Sequence, residues 1–410
     1  MRLSGVPLTL VRYPARTLTN KHFPSMDRAP FGRFYLPPAL TGVSDEAPEG
    51  TQGFLEDDNR GAVSPDPVVT LDGTDFYFSV KGIGSSIDPF SSASLDRSYV
   101  SELTREETVR ARLGRPTVIT PEGEIDRIIT GERWLRGSPY GGQGLEHAQI
   151  SLNVSERADL TSLQGFLIAP VVQIAFLPEE LAERLRSLHW YHRFRGPFVQ
   201  ELRLVPSNVR IYFHAKNTVG NNIRHIFDQF GVDDDSKALS FESRFIRSAL
   251  AMLTLFARTL RFDPAKQRYF GLDFHDVWLD KDAVLAPDGS VYFVDLEGIE
   301  EEGVDREKVG EKIEDQVFRS LYEFLFAYEQ IEQERTSRFG GTHPRKAHFE
   351  HLLRETLRED PFLRVKETPE GFGLLIRNAL AEESLNILFS ITDHEHDDLR
   401  SDRKVSRGDP

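Results

Sequence analysis

The chain has 410 residues, a hydrophobic content of 39% that includes 29 phenylalanines, and a formal net charge of −15. This length exceeds a single ordinary core and predicts two lobes or domains, with ample apolar material for both. The acidic balance argues against nucleic-acid binding, which relies on basic surface to displace counterions, and the absence of cysteine excludes disulfides, thiol catalysis and cysteine-ligated zinc.

No run of about 18 apolar residues occurs, so no membrane span is predicted. The opening MRLSGVPLTLVRYPAR has neither an uninterrupted apolar core nor a cleavage site, so the expected location is cytoplasmic.

In chain order, residues 1–66 are rich in Pro, Gly and Asp with weak periodicity. They are expected to wrap irregularly over the next lobe, with one short strand at 31–36 and a mobile loop over 44–67. Residues 68–83 read as a hairpin: VVTL, a turn at Asp72-Gly73, then DFYFSVK ending on Lys81, with Gly82 and Gly84 behind it. A lysine there suits phosphate oxygens, and the glycines let a ligand approach the backbone. A strand-edge lysine that deters aggregation is the competing explanation.

Residues 85–139 are loop-rich, with a charged helix near 102–113 and a strand pair around 117–133. Gly141, Gly142 and Gly144 precede a helix and would present N–H groups to an anion, or simply form a loop. That helix carries Glu146 in its first turn, where the dipole favours acid, and Glu156 further on. Residues 166–177 (FLIAPVVQIAFL) predict a buried strand, bent or at an edge because of Pro170, and a helix follows from Pro178 to about residue 193.

Residues 198–213 read as a hairpin about Pro206, flanked by Arg203 and Arg210, candidates for a substrate anion or for salt bridges. The acidic connector 228–237 is the expected lobe boundary. Beyond it the pattern turns helical, over 241–260, within 300–335, and over 345–358 and 372–391. The predicted organisation is an irregular wrap (1–66), a strand-rich lobe with insertions (67–230), a helical lobe (231–391) and a flexible tail (392–410).

The chemistry concentrates in residues 271–298, GLDFHDVWLDKDAVLAPDGSVYFVDLEG. An acidic loop carries Asp273, His275, Asp276, Asp280 and Asp282. A hydrophobic run, the turn Pro287-Asp288-Gly289 and a second run rich in Val, Tyr and Phe then lead to Asp295 and Glu297. Carboxylates at both ends of one hairpin suit magnesium, which takes hard oxygen ligands and shares them with phosphates. A surface hairpin with solvated acids is the alternative.

This stretch resembles the catalytic and metal loops of the protein-kinase-like fold superfamily. There a histidine is followed seven residues later by a metal-binding Asn, and a strand, turn and strand lead to a metal-binding Asp. Here His275 is followed by Asp282 in the Asn position, and Asp295 closes the hairpin. Val277 stands where the typical kinase has its catalytic Asp. The selenoprotein-O family of kinase-like adenylyltransferases also lacks that Asp, and Val80-Lys81-Gly82-Ile83-Gly84 is similar to its Leu-Lys-Gly-x-Gly.

The resemblance implies an α+β, two-lobed protein-kinase-like architecture with a strand-rich N-terminal lobe and a mainly helical C-terminal lobe. ATP would lie between the lobes with Lys81 on its phosphates, and Glu146, or else Glu156, would orient that lysine. Asp282 and Asp295 would hold Mg2+, and Asp276, or else Asp280, would act on the acceptor. Phosphoryl and adenylyl transfer, to a protein or a small molecule, both fit this pattern. Two other readings accompany it: a pseudokinase that binds or scaffolds, and an unrelated metal-dependent hydrolase using Asp273, His275, Asp295 and Glu297.

Overall fold

The computed structural model describes residues 3, 7–24, 31–36, 51–57, 61–82, 143–187, 196–211, 226–274, 279–340, 345–369, 371–382, 385 and 387–391. The helix and strands expected within 85–139, His275 and Asp276, and the tail 392–410 lie outside the described residues.

The fold is α+β. Its first half is dominated by strands β1 (Pro7–Pro14), β2 (Thr17–Thr19), β3 (Arg33–Leu36), β4 (Thr51–Asp57), β5 (Gly61–Leu71) and β6 (Thr74–Lys81). Next come β7 (Gln143–Gly144), helix α1 (Leu145–Arg157), the ribbon β8 (Ser162–Leu163) and β9 (Phe166–Leu167), β10 (Val171–Phe176), helix α2 (Glu179–Ser187) and β11 (Phe198–Val205). One antiparallel sheet takes the order β2-β10-β11-β6-β5-β4-β1-β3, with β7 added to β11.

The expected irregular wrap over 1–66 is therefore corrected: its described residues supply five strands of this sheet, part of β5 included. The prolines that suggested a loop sit where β5 slips register, around Pro67. Proline is tolerated at such bulges because the ladder bond is already lost there. Ser64 makes up part of that loss, its hydroxyl accepting from the Phe78 amide at 3.0 Å. The β5–β6 hairpin forms as its sequence predicts: Asp72 and Gly73 both have positive φ, 47° and 78°, the twist that a two-residue turn between antiparallel strands requires.

The second half contains α3 (Ile226–Phe230), α4 (Asp235–Leu253), α5 (Leu255–Thr259), β12 (Arg261–Asp263), β13 (Arg268–Phe274), α6 (Leu279–Asp282), β14 (Ala283–Leu285), β15 (Val291–Phe293) and β16 (Ile299–Val304). Helices α7 (Val309–Phe339) and α8 (Arg345–Thr356) precede a last sheet of β17 (Leu363–Thr368), β18 (Gly371–Ile376) and β19 (Ile387–Ile391).

Three further expectations change. The helix over 372–391 is replaced by β18 and β19; Phe372, Leu374 and Ile376 are buried at period two, as a strand demands. Among the described residues of 198–213 only β11 is a strand, and its continuation 206–211 bonds to the β14–β15 hairpin: Arg210 bridges Val284, and Leu285 N–H donates to Val209 O at 2.8 Å. The acidic connector 228–237 is largely helix, with Asp234 capping α4 through the Lys237 amide at 2.8 Å.

Helix α4 is the post on which the second half is built. Its face of Phe241, Phe245, Ala249 and Met252 is fully buried, and Phe245 stacks on Phe324 of α7 at 5.9 Å. The β14–β15 hairpin docks on the same helix: Val291 N–H donates to Ser248 at 2.8 Å, and Arg244 pairs with Asp288 of the turn at 2.8 Å. The far end of β15 also joins the first half, Ala169 N–H donating to Phe293 O at 2.8 Å. The hairpin is thus held from both sides, and its exit points at the large sheet.

Candidate active site

Lys81 ends β6, an interior strand flanked by β5 and β11. Its neighbourhood removes the edge-lysine explanation, because β6 has no free edge there and Lys81 is only 8% exposed. Register places Glu201 of β11 directly opposite Lys81, and Arg203 opposite Ser79. Residues two apart share a sheet face, so Lys81, Glu201 and Arg203 belong to one face.

Helix α1 packs on β10, on β11 and on the short 3-10 turn Leu296–Gly298. Its buried residues are Leu152 and Val154 together with the small Ala148, Ser151 and Ser155. Ser155 Oγ donates to Ser151 O at 2.8 Å and accepts from Val171 N–H at 2.9 Å, clamping helix to strand.

Into this space the hairpin delivers Asp295 and, one turn later, Glu297. Lys81 Nζ donates to Asp295 Oδ1 at 2.6 Å and also to Glu297 Oε1. Ser151 Oγ donates to the other Glu297 oxygen at 3.4 Å. Arg203 donates to Val294 O, the residue before Asp295, and lies 3.9 Å from the Glu201 carboxylate. Three carboxylates, Asp295, Glu297 and Glu201, therefore meet two cations, Lys81 and Arg203.

The titration behaviour follows from that imbalance. Burial pulls the Lys81 ammonium down, but Asp295, Glu297 and Glu201 outweigh it and hold it above the ordinary lysine range. Burial also opposes the Asp295 charge, yet Lys81 keeps that carboxyl well below its usual range. Glu297 is pushed up to about 7 by burial and by the Asp295 charge. One lysine satisfies the first carboxylate and leaves the second with an incomplete counter-charge.

Of the residues singled out from sequence, Lys81 and Asp295 come together. Asp282 is buried at the start of β14, and its carbonyl accepts the Val294 amide at 2.8 Å, so the two ends of the hairpin are stitched beside Asp295. Glu146 does not join them; it is exposed in the first turn of α1. Glu156 turns to the N-terminal strands instead, its carboxylate accepting from the Lys21 amide at 3.0 Å. Asp276 and His275 lie outside the described residues.

Asp273 is a structural residue rather than an open ligand. It is fully buried and held by Gln316 at 2.7 Å, Lys312 at 2.6 Å and Arg319 at 2.8 Å, all from α7. Sequence reasoning missed Glu201, and the only signal for it is an acid beside Gln200 and Arg203 in a short strand run. Glu297 was named only for the hydrolase reading, which the engagement of Asp273 divides.

Among the described residues no three His, Asp or Glu side chains form a metal-binding group. Asp295 and Glu297 nevertheless fit a hard cation that shares its shell with a ligand: both are oxygen donors, Asp295 is 33% exposed, and the cluster carries surplus negative charge. No helix among the described residues is long and apolar enough to cross a membrane. Comparison of the chain with family models, with curated proteins and with solved structures gave no match.

Proposed function

We propose that the chain is a kinase-like transferase that binds ATP with Mg2+ beside Lys81 and Asp295 and passes a phosphoryl or adenylyl group to an acceptor. The carrying observation is the ion pair between Lys81, at the end of an interior strand, and Asp295, at the exit of a hairpin 214 residues later. The order of parts supports the same reading: strand β6 with its lysine, helix α1, the β10–β11 pair beside β6, then helix α4 and the carboxylate-bearing hairpin.

In this reading Lys81 donates to phosphate oxygens and keeps the nucleotide in register with the sheet. Asp295 and Glu297 would hold the magnesium ion, and Asp282, whose carbonyl is bonded to the Val294 amide, is the further candidate from sequence. Bound magnesium would supply neutralisation of the charge that develops on the transferred group. Lys81 is buried and α1 reaches the cluster through Ser151, and burial strengthens each of these interactions. Asp276 remains the candidate for orienting the acceptor hydroxyl.

Two observations favour a second reading, a nucleotide-binding module without transfer. Both helix acids lie away from Lys81, and the sequence has Val277 where a typical kinase has its catalytic Asp. Incubation with ATP labelled at the α or the γ phosphorus separates the readings. Label from the γ position on an acceptor means phosphoryl transfer, label from the α position adenylyl transfer, and binding without either supports the module. No binding to ATP at all overturns both.

A further inference from the structure

We infer that Glu201 is the positioning residue for Lys81, taking from the neighbouring strand the task that a helix acid was expected to perform. For its role in catalysis this rests on the nucleotide reading; for its place opposite Lys81 it does not.

Glu201 is fully buried in the middle of β11 and stands directly opposite Lys81 in the β6–β11 register. Directly opposed residues have β-carbons about 5 Å apart, close enough for a carboxylate to act on an ammonium. The alternate residues of the strand face elsewhere: Gln200, for example, spans to Tyr35 and to Gly82 O. Helix α1 supplies no carboxylate, since Glu146 is exposed and Glu156 binds the Lys21 amide. Glu201 is thus the acid whose place is set by the sheet rather than by a loop or a helix.

The consequence concerns the loaded site. In the free protein Lys81 is gripped by Asp295 and Glu297. A divalent cation would take those same carboxylate oxygens, and Lys81 would lose both partners at the moment it must face phosphate. Glu201 sits too deep to be taken, so it keeps the ammonium in the sheet register throughout. Arg203, 3.9 Å from Glu201, balances the glutamate and stops it from drawing Lys81 away from the ligand.

The test uses the full chain in the Asp295→Asn, Glu297→Gln background, which imitates a cation holding both loop acids. Labelling of Lys81 by an amine-reactive ester, read by mass spectrometry, is expected to rise at least tenfold when Glu201→Gln is added. If that variant does not fold, Glu201→Asp in the same background is expected to give an intermediate rate. Equal labelling with and without the Glu201 change overturns the inference. A second arm measures MgATP affinity calorimetrically. Glu201→Gln is expected to weaken it about tenfold in the wild-type background and to have no effect in Lys81→Met, because effects that pass through one group do not add. An equal loss in both backgrounds contradicts a role through Lys81. If the wild-type protein binds no MgATP, the proposed function falls and the labelling result alone decides the role of Glu201.

Discussion

Lys81 and Asp295 are 214 residues apart in the chain and 2.6 Å apart in space. The pair joins an element of the large sheet to the exit of a hairpin built on α4, so its geometry depends on two independently packed supports. Paired groups at the end of rigid elements are pre-organised, and the energy of binding a ligand is not spent on ordering them.

The pH dependence of stability should carry the signature of Glu297. Its ordinary value of 4.5 is pushed up to about 7 by burial and by Asp295. Between those values the folded protein keeps a proton that the unfolded chain has released, so the contribution of Glu297 to stability falls as pH rises through that window. Asp295 acts with the opposite sign: its depressed value gives stability above the ordinary carboxylate range that is lost as pH falls. Melting curves of wild type are expected to decline from about pH 5 to about pH 7.5, and Glu297→Gln to flatten that decline. A Glu297→Gln protein that melts well below wild type at the upper pH would identify Glu297 as an indispensable partner of Lys81.

Asp273 should matter for folding. Lys312, Arg319 and Gln316 all converge on it, and Lys312 and Arg319 hold its carboxyl below the usual range against the effect of burial. Asp273→Asn removes the buried anion shared by Lys312 and Arg319 and leaves them only the more exposed carboxylates of Glu302 and Asp315, and is expected to cost about 2 kcal/mol in urea unfolding. A loss below about 0.5 kcal/mol, the size of an ordinary surface change, would refute the clamp.

The turn of the central hairpin is equally specific. Gly289 has φ +93°, and a β-carbon there would lie 2.3 Å from the Phe241 carbonyl oxygen of α4. Gly289→Ala combines backbone strain with that clash, and should destabilise by about 2 kcal/mol or more. An alanine variant as stable as wild type would mean that the hairpin does not sit on α4 in this way.

Much of this site was legible in sequence because its cues are local. The Asp72-Gly73 and Pro287-Asp288-Gly289 turns fix their hairpins through backbone preference, and Lys81 and Asp295 each follow an apolar strand run. What escaped depends on register and on tertiary context. Glu201 reads as one polar residue among three in FVQELRLV until β11 is laid beside β6. Glu146 has the sequence position of a lysine partner but lies on the wrong face of α1, which only packing decides. The N-terminal strands were hidden because Pro65 and Pro67 look like loop residues, although a bulge accommodates them. In 372–391 a run of apolar residues with glycines fits either period, and cross-strand pairing selects the strand.

The helix acids provide a contrast for the nucleotide site. Glu146→Gln and Glu156→Gln are each expected to change MgATP affinity by less than about twofold, or about 0.4 kcal/mol. A tenfold loss from Glu146→Gln would mean that α1 rotates to bring its first turn to Lys81 when ligand binds.

The most direct test of the central claim is a pair of melting experiments, wild type and Asp295→Asn, each with and without magnesium and ATP. Asp295→Asn removes one of three clustered carboxylates at nearly constant volume and leaves Glu297 and Glu201 near Lys81, so the free protein should melt close to wild type. Wild type should gain stability only when magnesium and ATP are both present, as a ligand that binds the folded state alone requires. The variant should lose at least about tenfold in affinity, roughly 1.4 kcal/mol of that interaction. Wild type unmoved by every nucleotide with magnesium, or both proteins stabilised equally, would contradict the account.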